Sequence, residues 1–176
     1  MHDVFTNGDM FINSGDLFTH DADKNLYFYD RLGDTFRWKG ENVSTTEVAN
    51  IISELPFVHD AFVYGVNVPG CEGKAGMAAI NLLDTDSKPS SEDFIDTITK
   101  QCLQQLASYA IPRFIRFKTF LDITSTFKPL KGTLKKEGYD PCHVTDPLYY
   151  FDIKQHKYCK LNRDVMKKIE NNEINL

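Results

Sequence analysis

The segment Asp30–Glu47, reading DRLGDTFRWKGENVSTTE, constrains this chain more than any other. Charged residues crowd around two glycines, and Phe36 and Trp38 alternate with Arg37 and Lys39, the period-2 pattern of a short strand. Gly40-Glu41-Asn42 reads as a tight turn. Ser44-Thr45-Thr46-Glu47 then matches a capping box, in which a hydroxyl and a carboxylate satisfy the free amides that begin a helix. Turn, strand, loop and helix follow one another without a spacer. Such a density of charge around glycine fits a hinge and an active-site loop better than a purely structural connection.

Elements on either side are legible from period and punctuation. Asn7-Gly8-Asp9 is a turn signal, Met10-Phe11-Ile12 is strand-like, and Asn13-Ser14-Gly15-Asp16 is a second turn. Leu17 to His20 and Leu26 to Tyr29 read as a β-hairpin around Asp21–Asn25. This piece is too small to fold alone, and its apolar face predicts a larger neighbour.

Downstream, the capping box launches a helix over about 45–55 with Val48, Ile51, Ile52 and Leu55 on one face, and Pro56 ends it. Strands are predicted at 58–68 and 76–83, the latter apolar enough to be buried on both faces. After a polar loop at 84–91, a helix over 92–106 turns Phe94, Ile95, Ile98, Cys102, Leu103 and Leu106 inward. Pro112 introduces a third strand at 114–118. Short helices follow at 133–137 and 162–171, with Leu148-Tyr149-Tyr150-Phe151 between them. The order predicts an α+β fold, a small three-stranded sheet with packed helices preceded by the hairpin.

The bulk properties bound the function classes. A chain of 176 residues is one domain with short appendages, and 41% apolar residues give it a real core. A net charge of -5 argues against binding nucleic acid through its phosphates. Cys71, Cys102, Cys142 and Cys159 are far apart with no CxxC pair, which reads as reduced thiols, and no histidines sit at metal-ligand spacing. No basic-then-apolar leader is visible and no apolar run is long enough to span a bilayer, so this chain reads as soluble with no membrane span.

DRLGDTFRWKGENV closely resembles the hinge of the AMP-forming acyl-CoA synthetases, in particular the very-long-chain acyl-CoA synthetase and fatty-acid transport protein branch. The resemblance runs over nearly the whole chain but answers only to the C-terminal part of such an enzyme. It implies that 1–30 close a large N-terminal adenylation domain, 31–34 are the hinge, 35–140 form the mobile C-terminal lid domain and 141–176 are a tail. The implied reaction joins a fatty acid to CoA through an acyl-AMP intermediate, with ATP consumed and AMP and pyrophosphate released. ATP and CoA are then substrates, and Mg2+ is held by the N-terminal domain. The parent would face the cytosol on the endoplasmic reticulum, peroxisome or plasma membrane. Its Ser/Thr/Gly-rich phosphate loop, adenine pocket and fatty-acid tunnel are not in these residues.

Site residues carry over by motif. Asp16 closes a turn where relatives have Thr-Gly-Asp, with Ser14 in place of the threonine; its carboxylate would accept hydrogen bonds from the ATP ribose. The residues alone also allow a plain Asx turn. Arg31 would hold the same ribose, or else pair locally with Asp30 or Asp34. Gly33 would be the pivot of domain rotation, with Asp34 beside it, or a simple turn glycine. Trp38, Lys39, Gly40, Glu41 and Asn42 would line the channel for the pantetheine arm of CoA, while Phe36 and Trp38 also suit a strand core. Lys128, in Thr-Ser-Thr-Phe-Lys with Ser125 where glycine is usual, matches the catalytic lysine. Its ammonium would relieve the repulsion between carboxylate and α-phosphate. Lys131, Lys135 and Lys136 read as a solvated face, and Leu106–Phe114 resembles the motif that turns helix into strand.

Two functions remain open. One is the C-terminal part of a fatty acid–CoA ligase. The other is a non-catalytic module that docks on a full-length synthetase, for which Tyr149, Tyr150 and Phe151 would serve if they do not pack on their own sheet.

Overall fold

A computed structural model describes residues 1–31, 35–83, 91–123 and 130–176, apart from the side chains of Tyr29, Asp30, Arg31 and Ser91. Strands β1 (Asp16–His20) and β2 (Leu26–Arg31) form the expected hairpin, and β3 (Phe36–Trp38) pairs with β4 (Glu41–Val43) in a second one. Helix α1 (Thr45–Ser53) leads into β5 (Val58–Val66) and β6 (Ala75–Leu82), then α2 (Ser91–Gln105) crosses to β7 (Phe114–Phe117). Helix α3 (Lys131–Glu137), strands β8 (Leu148–Asp152) and β9 (Lys157–Lys160), and α4 (Arg163–Glu170) complete the described chain. The polar loop foreseen at 84–91 falls, but for Ser91, outside the described residues.

The α+β class stands, and the three foreseen strands are neighbours in one sheet. That sheet is longer than foreseen, five strands in the order β5-β6-β7-β8-β9. All its pairs are antiparallel except β6 with β7, which α2 joins as a parallel crossover. The two added strands come from the Leu148–Phe151 run and a lysine-flanked segment whose alternation is too short to read as a strand. Tyr149, Tyr150 and Phe151 are therefore core residues, as the packing alternative had it. Met10–Ile12 forms no strand beyond an isolated bridge from Met10 to His2.

Capping chemistry sets the helix starts. The Ser44 hydroxyl accepts from the Glu47 amide at 3.2 Å in extended N-cap geometry, and Asn162 does the same for Val165 at 2.9 Å. Val48, Ile52 and Leu55 of the α1 segment are buried as the period requires. On α2 the buried face is Ile95, Ile98, Thr99 and Cys102, continued by Leu106 just past its end, whereas Leu103 is 40% exposed. Thr99 lies nearer the centre of the inward stripe than Leu103, and its hydroxyl donates to the Ile95 carbonyl at 2.6 Å, so it enters the core satisfied.

The β3–β4 hairpin is seated on the sheet by a steric match. Gly65 of β5 and Gly76 of β6 are cross-strand partners, and Phe36 lies across both. A Cβ on Gly65 would sit 2.7 Å from the Phe36 Cβ, and one on Gly76 would sit 2.9 Å from its Cζ. Two side chains of β structure are absent where one aromatic ring fills the space. Beside it, the Lys74 amide donates to the Arg37 carbonyl at 2.7 Å.

A buried ion cluster holds α3 against the sheet. Arg116 of β7 is 3% exposed. It donates through Nη1 to Glu137 at 2.6 Å, and through Nε at 2.7 Å and Nη2 at 2.6 Å to Asp146. Burial works against the guanidinium charge, but the two carboxylates outweigh it and raise its pKa. An arginine inside the apolar run Phe114–Phe117 is affordable only with such partners.

Two stability predictions follow from these contacts. Gly65→Ala drives a Cβ into Phe36 and Lys74 and lowers unfolding stability by about 1–3 kcal/mol in urea titration. Arg116→Met strands Glu137 and Asp146; the loss is about 2–3 kcal/mol, below the ~3–5 typical of fully buried pairs because both carboxylates keep some water. Combining Arg116→Met with Glu137→Gln and Asp146→Asn recovers most of it.

Candidate functional site

The turn Asn13–Asp16 is built by its own side chains. Asn13 Oδ1 accepts from the Gly15 amide at 2.9 Å, Ser14 Oγ accepts from the Asp16 amide at 3.3 Å, and Gly15 takes φ +75°. This delivers Asp16 to the first position of β1. The hairpin register then pairs Asp16 directly with Arg31, the last residue of β2, and Leu17 with Asp30, before a bulge at Leu17/Phe18. Two residues separated by a whole hairpin in sequence thus become cross-strand neighbours. Arg31 is described here by its backbone only.

The β3–β4 hairpin carries the second group. The sequence reading placed its turn at Gly40–Asn42; the structure places it one residue earlier, because Glu41 and Asn42 pair with Trp38 and Arg37. Lys39 (φ +49°) and Gly40 (φ +89°) are both left-handed, the requirement of a type I′ turn that follows the twist of the strands. Arg37 Nε braces the turn by donating to the Gly40 carbonyl at 3.0 Å. Trp38 is fully buried, so of the five residues read as a channel lining it belongs to the core, while Lys39, Gly40, Glu41 and Asn42 are exposed. The Trp38 indole N–H has no acceptor among the described residues. The Lys39 ammonium sits 5.3 Å from the centre of the Trp38 ring and donates to the Leu176 carbonyl.

Gly33, Asp34 and Lys128 lie outside the described residues. The chain on either side of 124–129 is described, and it is fixed. The Leu130 amide donates to the Asp122 carbonyl at 2.9 Å. Lys131 Nζ donates to Thr45 Oγ1 at 3.1 Å, tying the start of α3 to the start of α1. Lys131 is therefore no part of a solvated face, although Lys135 and Lys136 are exposed as foreseen. Burial pushes the Cys102 thiol up to about 12, which leaves no thiolate there near neutral pH.

Sequence reasoning missed the Arg116 cluster and the contact between Lys39 and Leu176. An arginine among Phe114, Ile115 and Phe117 was a usable signal for the first. Nothing local announces the second. A half-open cavity of about 260 Å³ lies where Lys39, Gly70, Cys71, Glu72, Asn172 and Leu176 meet.

The sequence model of the AMP-binding enzyme C-terminal domain matches residues 47–128. Mouse long-chain fatty acid transport protein 6 is 44% identical over 176 residues, all of this chain and 28% of that protein. Human long-chain fatty acid transport protein 3 is 48% identical over 152 residues, 86% of this chain and 22% of that protein. The chain thus spans roughly a quarter of these relatives' length. Among solved structures, an anthranilate CoA ligase in complex with anthranoyl-AMP superposes with TM-score 0.62 at 30% identity, over 70% of this chain and 23% of that one. The o-succinylbenzoate coenzyme A synthetase of Bacillus subtilis in complex with AMP gives 0.59 at 29% identity, over 74% and 25%. Residues 47–128 are an AMP-binding enzyme C-terminal domain, and the chain is homologous to the long-chain fatty acid transport proteins.

Proposed function

We propose that this chain is the C-terminal part of an AMP-forming long-chain or very-long-chain fatty acid–CoA ligase. The observation that carries the reading is the register that sets Asp16 opposite Arg31 immediately before the AMP-binding enzyme C-terminal domain. Residues 1–30 end the N-terminal adenylation domain, 31–34 are the hinge, 35–140 are the lid and 141–176 add β8 and β9 to the lid's sheet. The large N-terminal domain is the partner of the first hairpin. Phe18, Leu26, Tyr27 and Phe28 are each more than half exposed and Ile12 is 96% exposed, an apolar surface that such a domain would cover.

In this reading the fatty-acid carboxylate attacks the α-phosphorus of ATP and pyrophosphate leaves. Asp16 and Arg31 hold the ribose, and the Lys128 ammonium neutralises charge gathering between the two anions. Rotation about Gly33 and Asp34 then brings the β3–β4 turn, with Lys39 to Asn42, toward the acyl-AMP. The CoA sulfur attacks the acyl carbonyl and AMP leaves. Trp38 supports that turn from below. In this reading Mg2+ is held by the N-terminal domain; among the described residues no three His, Cys, Asp or Glu side chains are grouped to hold a metal. No helix among them is long and apolar enough to cross a membrane. Membrane association, cytosol-facing at the endoplasmic reticulum, peroxisome or plasma membrane, belongs to the parent protein. The alternative of a docking module loses its proposed anchor, since Tyr149, Tyr150 and Phe151 are buried in β8.

The half-reactions test the assignment in the complete enzyme. Lys128→Ala lowers acyl-AMP formation from ATP by about 10²–10³-fold while CoA transfer from supplied acyl-AMP persists; equal loss of both would remove Lys128 from the adenylation step. Gly33→Pro fixes the pivot's φ, and thioester formation falls while adenylation continues. Thioester formation at the parent rate in that variant would exclude the pivot.

A further inference from the structure

The turn at Lys39-Gly40 is not held by its own hairpin alone. A lysine at φ +49° is in a region that residues other than glycine seldom adopt, and within the hairpin the Arg37 brace and the face of the Trp38 ring are what hold it. What else fixes it comes from the other end of the chain, 137 positions away, where the Leu176 carbonyl accepts from Lys39 Nζ. That carbonyl is itself anchored. Leu176 is 3% exposed, Ile169 of α4 is 1% exposed, and Ile174 packs partly against the same core.

The chain reaches this position through a defined turn. Asn172 takes φ +59°, its amide donates to the Ile169 carbonyl at 3.0 Å, and the Glu173 amide donates to the Lys168 carbonyl at 2.8 Å. The Asn172 carboxamide then presses on Gly70, where a Cβ would lie 2.6 Å from Oδ1. Gly73 of the same loop touches the hairpin in turn: a Cβ there would sit 2.1 Å from the Arg37 carbonyl oxygen, and Gly73 bridges to Trp38. The C-terminal turn therefore grips the hairpin twice, directly through Lys39 and indirectly through the loop from Gly70 to Gly73.

We infer that residues 171–176 are a positioning element for the Lys39-Gly40 turn, with Leu176 and Asn172 setting the geometry that Lys39 presents. This rests on the proposed function only in assigning that turn to the CoA step; the coupling itself is a property of this chain. Its physical logic is that a left-handed lysine relaxes once its ammonium loses a fixed acceptor, and the exposed backbone from Lys39 to Asn42 relaxes with it.

Amide hydrogen exchange on the full 176-residue chain tests the coupling. Leu176→Ala, which removes the anchor, and Lys39→Met, which removes the donor while keeping the stem, each accelerate exchange at 37–42 by about tenfold, the loss expected for one hydrogen bond to a charged group. The β5–β6 amides keep the parent rate, Leu176→Ile keeps the parent pattern, and the double variant is no faster than either single one. Unchanged exchange at 37–42 in Leu176→Ala, or additive acceleration in the double variant, would overturn the inference. In the complete ligase, Leu176→Ala raises KM for CoA about 5–20-fold and leaves the adenylation half-reaction within about twofold of the parent. Accelerated exchange with an unchanged KM for CoA would uphold the coupling and remove the hairpin from the CoA step, a failure of the functional reading alone.

Discussion

Phe36 lying over Gly65 and Gly76 is the contact from which the hairpin and the sheet beneath it take their arrangement. A ring can approach two adjacent strands this closely only where both lack a Cβ, so the glycine pair determines where the β3–β4 hairpin sits and in what register. The Lys74–Arg37 backbone bond and the Gly73 approach follow once Phe36 is seated. Because β4 runs through Val43 straight into the Ser44 cap, the same contact also aims α1. An exposed turn is thereby mounted on a buried base, with Trp38 and Val43 beneath it and Lys39 to Asn42 outside.

The Arg116 cluster plays the corresponding part on α3. Glu137 comes from the end of that helix and Asp146 from the segment before β8, so one guanidinium draws two connections onto β7. The bond from Lys131 to Thr45 ties the start of α3 to the start of α1. Helix α3 and the helix that follows the hairpin therefore share one frame. The first hairpin stands apart from this frame in character, with large apolar side chains still open to water.

The secondary structure of residues 36–83 and 91–123 was largely legible because burial imposed clean periods on it. Val48 and Ile52 recur at helical spacing, and Ala75 to Ile80 is apolar throughout because both faces of β6 are covered. Legibility failed where a partner replaced a pattern. Leu103 lies at the edge of the inward stripe and stays 40% exposed, while Thr99, nearer the centre of that stripe, is buried with its hydroxyl satisfied by the Ile95 carbonyl. β9 escaped notice because lysines flank it at the sheet edge and only Tyr158 is fully inside. The hairpin turn was displaced by one residue because Lys39 adopts a left-handed conformation that sequence assigns to glycine or asparagine.

By itself the sequence determined the α+β class, the caps, most element boundaries and the resemblance to the AMP-binding enzyme C-terminal domain. Those features are local, set by residue type and spacing within a turn or two of chain. Tertiary structure alone decided that Asp16 faces Arg31 across a register, that Trp38 turns inward, that Arg116 finds two carboxylates, and that Leu176 meets Lys39. Each is a contact between distant positions, and no residue type specifies its partner until the sheet has closed and the burial of one group makes the other's charge or hydrogen bond obligatory.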